Sequence, residues 1–203
     1  MQTQKYIDQQ ANVWRFDPAY SSVEFSINKL FFFTVKGRFK AFDGAIILDE
    51  ADLKCSSVTA KLQADSIDTG NSRRDAQIKA QPFLDVEKYP EITFSSSSVA
   101  PGKDRDSVDV SGDLCIKGAT RKIRLAVNAI DRSRSPNGEE FVYYSATAEL
   151  DRSDFGVNAF KGVVGRKLKV TINIQASRKL WPNEYAPQEP SAGAQLSIPL
   201  EGA

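Results

Sequence analysis

The sequence predicts an all-β protein: one extended antiparallel barrel of about eight strands with one or two short helices. Three observations carry that prediction. Apolar residues recur at every second position through most of the chain, the period of a strand with one buried face. The alternating runs reach about ten residues, roughly 33 Å of strand, which is long for a sandwich and suits an elongated barrel around a channel. Small residues (Gly37, Ala60, Gly112, Ala129, Ala146 and Ala148) recur on the alternating faces, where larger side chains would fill the interior. Glycine in a strand also marks bulges and corners, and alternation by itself does not separate a barrel from a sandwich.

Taken in order, Val23, Phe25 and Ile27 alternate with Ser22, Glu24 and Ser26, and Val35, Gly37 and Phe39 alternate with Lys36, Arg38 and Lys40. Ala45 to Asp49 reads as a strand, as does Val58, Ala60 and Leu62 against Thr59, Lys61 and Gln63. Ile92 and Phe94 open a further strand, and Val108 to Ile116 make a longer run. A turn at Lys117-Gly118 joins that run to Ile123, Leu125, Val127 and Ala129, the pattern of a hairpin. Phe141 to Leu150 and Leu168 to Ala176 complete the set, separated from what precedes by the Ser135-Pro136-Asn137-Gly138 turn. Helical candidates are Lys29 to Phe33 and Asn71 to Gln81, the latter with Asn71 or Ser72 as N-cap.

At 203 residues the chain holds one domain with tails: an N-terminal arm (1–13), the barrel (14–178) and a tail from 179 to 203 whose four prolines preclude regular structure. Lys and Arg number 27 against 26 Asp and Glu, a net charge of +1, so no overall field draws nucleic acid or an anionic membrane. Cys55 and Cys115 show no metal or disulfide spacing and are expected as buried free thiols. Histidine is absent, which removes the usual general base and the commonest transition-metal ligand. No signal-like or membrane-spanning stretch is present. As it stands the chain is expected to be soluble and cytoplasmic, or periplasmic if a signal peptide has been removed.

No P-loop, dinucleotide fingerprint or nucleophile elbow occurs. Arg73-Arg74-Asp75 and Asp151-Arg152-Ser153-Asp154 fall beside turns. Their arginines either hold an anionic head group at a barrel mouth or pair with the neighbouring aspartates. Phenylalanine is frequent, twelve in all. Of the consecutive Phe31, Phe32 and Phe33 at least one is expected to line a mouth or channel, because three successive aromatics cannot all face one core.

Over about Trp14 to Ser177 the chain resembles the YceI-like family of polyisoprenoid-binding proteins. The blocks that carry the likeness are Trp14 to Pro18 with Ser21 to Phe25, Val35 to Phe39, Phe42-Asp43-Gly44, Ser66 to Gly70 leading to Arg74-Asp75, and Pro82-Phe83 with Tyr89 to Phe94. Gly112 to Leu114, Ile116 to Gly118 with Thr120, and Asp151 to Val157 follow. The resemblance implies a lipocalin-like barrel whose interior takes a long isoprenoid or quinone chain, with no catalytic residue, metal or cofactor. The expected ligand contacts are Phe25, Ile27, Leu30, Phe32, Phe39, Phe42, Phe94 and Phe155, with Arg74, Asp75, Gln77 and Arg152 as polar contacts. Relatives commonly carry histidine where Gln77 and Asn28-Lys29 stand here; Gln77 cannot become cationic. The alternatives are a barrel filled by its own side chains with a partner-recruiting tail, and an enzyme acting on isoprenoids through Asp, Glu, Lys or Tyr. A homodimer is compatible with either.

Overall fold

A computed structural model describes residues 12–30, 32–105 and 107–179. The N-terminal arm and the Pro-rich tail therefore lie almost wholly outside the described residues, as does Phe31. The strands are β1 (Val13–Phe16), β2 (Ser22–Lys29), β3 (Phe33–Phe39), β4 (Phe42–Ile47), β5 (Ser57–Gln63), β6 (Ile67–Asp68), β7 (Glu91–Pro101), β8 (Ser107–Ile116), β9 (Ala119–Arg134), β10 (Glu139–Asp151) and β11 (Val164–Lys179). One α-helix, α1 (Ser72–Lys79), stands between β6 and β7.

Several of these are pieces of broken walls. β1 and β2 are separated by a 3-10 turn at Pro18–Tyr20, where proline suits the first helical position and the Asp17 side chain caps the Ala19 N–H at 3.0 Å. Both pieces lie along the same edge of β11, Phe16 opposite Ala176 and Val23 opposite Ile172. They face β4 and β3 respectively, which are themselves interrupted at Lys40-Ala41. β5 and β6 are broken in the same way by a 3-10 turn at Ala64–Ser66. Joined, the pieces give eight antiparallel walls in chain order, and β11 returns to pair with the first. This is the closed eight-stranded barrel that the alternation and strand length predict.

Two sequence expectations change. Lys29 to Phe33 is a hairpin tip and not a helix: Lys29 stands opposite Phe33 in the β2–β3 ladder. Five residues cannot offset helix nucleation, while the strands on both sides extend the ladder. The cysteines are free but not buried: Cys55 is exposed in a short turn, and Cys115 is half-buried at the outward position between inward Leu114 and Ile116. The α1 helix does form, with Asn71 as its cap accepting from the Arg74 N–H at 3.0 Å. It stops at Lys79, ahead of Gln81, the residue that Pro82 biases away from helix.

The interior divides into a cluster around Phe94, Leu114, Leu125, Leu150 and Phe155 and a second around Trp14, Val23, Phe42, Val142 and Ile174. Gly37 and Gly112 do not leave open volume. A Cβ at either would overlap the ring of Phe25 or of Phe94, so each glycine makes room for a phenylalanine on the adjacent strand.

Candidate functional site

Between the walls lies a cavity of about 870 Å³. Phe25 and Ile27 of β2, Phe39 of β3, Phe42 of β4 and Phe94 of β7 face it, with Phe155 from the turn after β10. Phe25 and Phe39 meet at 6.0 Å between ring centroids, tilted by 48°. Ala60, Ala129, Ala146 and Ala148 line it as well, so four of the small inward positions do border open space. Among the described residues Glu24 is the one acid that borders the cavity, and it is exposed at the outward position between Val23 and Phe25, whereas the basic residues bordering it are Lys29, Arg74, Arg105 and Arg152.

At the α1 end, Arg152 is buried, and among the described residues its guanidinium forms no ion pair. Its Nε donates to the Gly165 carbonyl at 2.8 Å, Nη1 to Val157 and Ala159 at 2.7 and 2.8 Å, and Nη2 to Val164 at 3.1 Å. Burial pulls its pKa below the ordinary value, against the field of Asp151. Arg152 thus organises the connection from β10 to β11, a role different from both an Arg–Asp pair and a free anion fork. Asp151 instead caps Ser153 and pairs with Arg166 at 2.7 Å.

On the first turn of α1, Arg74 and Asp75 both turn to Thr69. Arg74 donates to its Oγ1 and carbonyl oxygen, each at 2.8 Å, and Asp75 accepts from its N–H and hydroxyl. Arg74 and Gln77 line the cavity, as Arg152 does; Asp75 does not. Leu30 and Phe32 also lie off the wall, because the β2–β3 tip runs beyond it and leaves Phe32 89% exposed.

The opposite end holds a site that the sequence reading missed. Glu140 continues the inward parity of Val142, Tyr144 and Ala146 on β10, and its register neighbours are Arg134 on β9 and Arg178 on β11. Arg134 bonds Glu140 Oε1; Arg178 Nε reaches Oε2 at 2.7 Å; Arg132 lies 3.4 Å from Oε2 and bonds Glu50 at 2.6 Å. The hydrogen bond from Arg134 and those from Arg178 outweigh burial and bring the Glu140 pKa down to about 2. Arg178 and Arg132 stand over the Trp14 ring, 4.3 and 5.4 Å from its centroid. An acid at an inward parity, with arginines at matching positions on both flanking strands, was the available signal.

The family model of the YceI-like domain matches residues 14–176. The chain belongs to the YceI-like family. It is 30% identical to Protein YceI of Escherichia coli over 156 residues, 77% of this chain and 81% of that protein. This YceI-like domain shares its fold with BcnA of Burkholderia cenocepacia, at a TM-score of 0.72 and 22% identity over 79% of this chain and 98% of that one. A polyisoprenoid binding domain from Saccharophagus degradans superimposes at a TM-score of 0.60 and 17% identity, covering 80% of this chain and 97% of that one. Among the described residues of the YceI-like domain no helix is long and apolar enough to cross a membrane.

Proposed function

We propose that this YceI-like domain carries or stores a long apolar lipid, an isoprenoid quinone or polyprenyl chain, inside its barrel and performs no covalent chemistry. The observation that carries the reading is the cavity of about 870 Å³ walled by Phe25, Ile27, Phe39, Phe42, Phe94 and Phe155. A barrel filled by its own side chains leaves no such space. Each buried methylene contributes about 0.8 kcal/mol, so a five-carbon unit contributes on the order of 3 kcal/mol before ordering costs, and a few units suffice for micromolar binding. Such a wall reads length and width. Lys29, Arg74 and Gln77 are the polar side chains on the wall at the α1 end that could meet the head of the ligand, since Arg152 is committed to main-chain carbonyls. The likeness to a domain described as polyisoprenoid-binding supports the same reading.

The test is native mass spectrometry of freshly purified protein, followed by organic extraction of whatever accompanies it. A stoichiometric long-chain isoprenoid is the expected result. A protein at its bare sequence mass that also fails to take up added ubiquinone or polyprenol overturns the proposal in favour of a structural barrel.

A further inference from the structure

The described residues include eight exposed large hydrophobic side chains, and five of them gather at one end: Leu30, Phe32, Phe33, Phe160 and Val163. The backbone joins them. The Leu30 N–H donates to the Val163 carbonyl at 2.9 Å, Lys29 stands opposite Val164, and the Phe160 carbonyl accepts from Val163 and Val164. Phe160 and Val163 line the cavity as well as the surface, and Phe160 stacks on the cavity residue Phe83 with centroids 5.7 Å apart. The patch is therefore the rim of the cavity mouth.

Turn chemistry does not explain these residues. Leu30 and Phe160 have φ of 50° and 54°, the left-handed region that Gly or Asn occupies at lower cost. Bulky apolar side chains are held outward in spite of strain, which is characteristic of functional positions.

Charge supplies the rest. The segments 28–37 and 156–170 contain six Lys and Arg and no Asp or Glu. Arg166 and Lys167 are matched by Asp151 and Glu149. Lys29, Lys36 and Lys161 are exposed and make no ion pair among the described residues. The chain's overall charge of +1 thus conceals a local basic collar around an aromatic tip, the pattern that seats a protein on an anionic lipid interface.

We propose that this rim docks the domain, mouth down, on an anionic phospholipid bilayer, so that an apolar chain passes between acyl region and cavity without crossing water. The purpose of such docking rests on the lipid-carrying reading; the docking itself is measured separately. Flotation uses vesicles of phosphatidylcholine alone and of equal parts phosphatidylcholine and phosphatidylglycerol. The wild-type protein is expected to float with the mixed vesicles and to be released by salt. The double variant Phe32→Ser, Phe33→Ser, at exposed positions off the cavity wall, is expected to lose at least ~10-fold in partitioning, given what burying a phenylalanine contributes. Lys36→Glu and Lys161→Glu should each cost about fivefold or more on the mixed vesicles.

A wild-type protein that stays in the aqueous fraction at all lipid concentrations overturns docking, as does an aromatic double variant that floats unchanged. If instead those variants abolish a concentration-dependent dimer in sedimentation, the rim is an interface with a second copy, and docking is again overturned. Native mass spectra of the same samples separate the two proposals. A loaded barrel that does not float refutes docking alone, whereas an empty, non-loading barrel that floats as expected supports docking and refutes the carrier reading alone.

Discussion

Glu140 and Arg178 stand opposite each other in the β10–β11 ladder, and the guanidinium that bonds a Glu140 oxygen at 2.7 Å also lies 4.3 Å from the centroid of the Trp14 ring. One arginine joins an ionic group to the apolar cluster around a fully buried tryptophan. Removing the carboxylate takes away the oxygens that Arg134 and Arg178 now bond, and with them the charge that balances this cluster of arginines. Glu140→Ala is expected to destabilise by about 3 kcal/mol, the low end for a broken buried pair because Arg134 is 62% exposed and partly hydrated. Urea denaturation reads it, and Glu140→Gln, which keeps an acceptor oxygen for the arginines, should cost less than Glu140→Ala.

The acid limb of stability should carry the same signature. The Glu140 carboxyl is lowered from 4.5 to about 2, chiefly by Arg134. Asp68 falls from 3.8 to about 2, first through the Gly70 N–H and then Lys40. Carboxylates with depressed folded-state pKa values stabilise above their unfolded values and lose that contribution as pH falls toward the folded ones. Stability is therefore expected to fall as pH drops from about 4.5 to about 2, and Glu140→Gln should flatten part of that fall. Urea midpoints measured across this range decide it.

Arg152→Lys is expected to be far from conservative. A single ammonium cannot reach the four carbonyls that the guanidinium now serves. With two or more left without a donor, the cost is about 2–4 kcal/mol. Hydrogen exchange should rise across 157–165 before the barrel unfolds.

Filling the cavity should separate fold from binding. Ala146 is buried and faces the cavity, so Ala146→Phe is expected to keep or raise Tm while reducing uptake of a long-chain quinone by ~10-fold or more. Thr147→Phe, on the outward parity and exposed, should leave uptake unchanged.

Gly37→Ala tests the one-for-one fit between glycine and ring. Its methyl group would overlap Phe25 and crowd the Thr69 methyl, an expected cost of about 1–3 kcal/mol. Pairing it with Phe25→Leu should restore much of the stability, as denaturant midpoints of the single and double variants would show.

Strand content was legible because one buried face imposes a period of two, and it is legible best where the run is long, as from Val108 to Ile116. β1 and β6, four and two residues long, are too short to show a period. Among the site residues, phenylalanines at inward parity within strands reach the cavity wall. Phe32 does not, because parity says nothing about whether a residue lies beyond the end of the wall. The role of Arg152 was hidden for another reason: its partners are main-chain carbonyls, which leave no mark on the sequence. Glu140 is hard to read from sequence because an acid at an inward position looks like an interruption of the pattern unless the arginines on both neighbouring strands are considered together.

The double pairing of β11 has a consequence for how the molecule is made. Its partners on one edge, β1 and β2, lie near the other end of the described chain, with Asn173 reaching Ser22 across 151 positions. Without that strand the other seven walls would be an open sheet with its apolar face in water, and the sequence distance that the closure spans makes it the contact expected to form late. A nascent barrel therefore leaves its apolar interior open along the width of a missing stave, an aperture that the closed sheet no longer has. For a barrel that carries lipid as proposed, folding in the presence of lipid and loading through the mouth would be two distinct routes to the same complex.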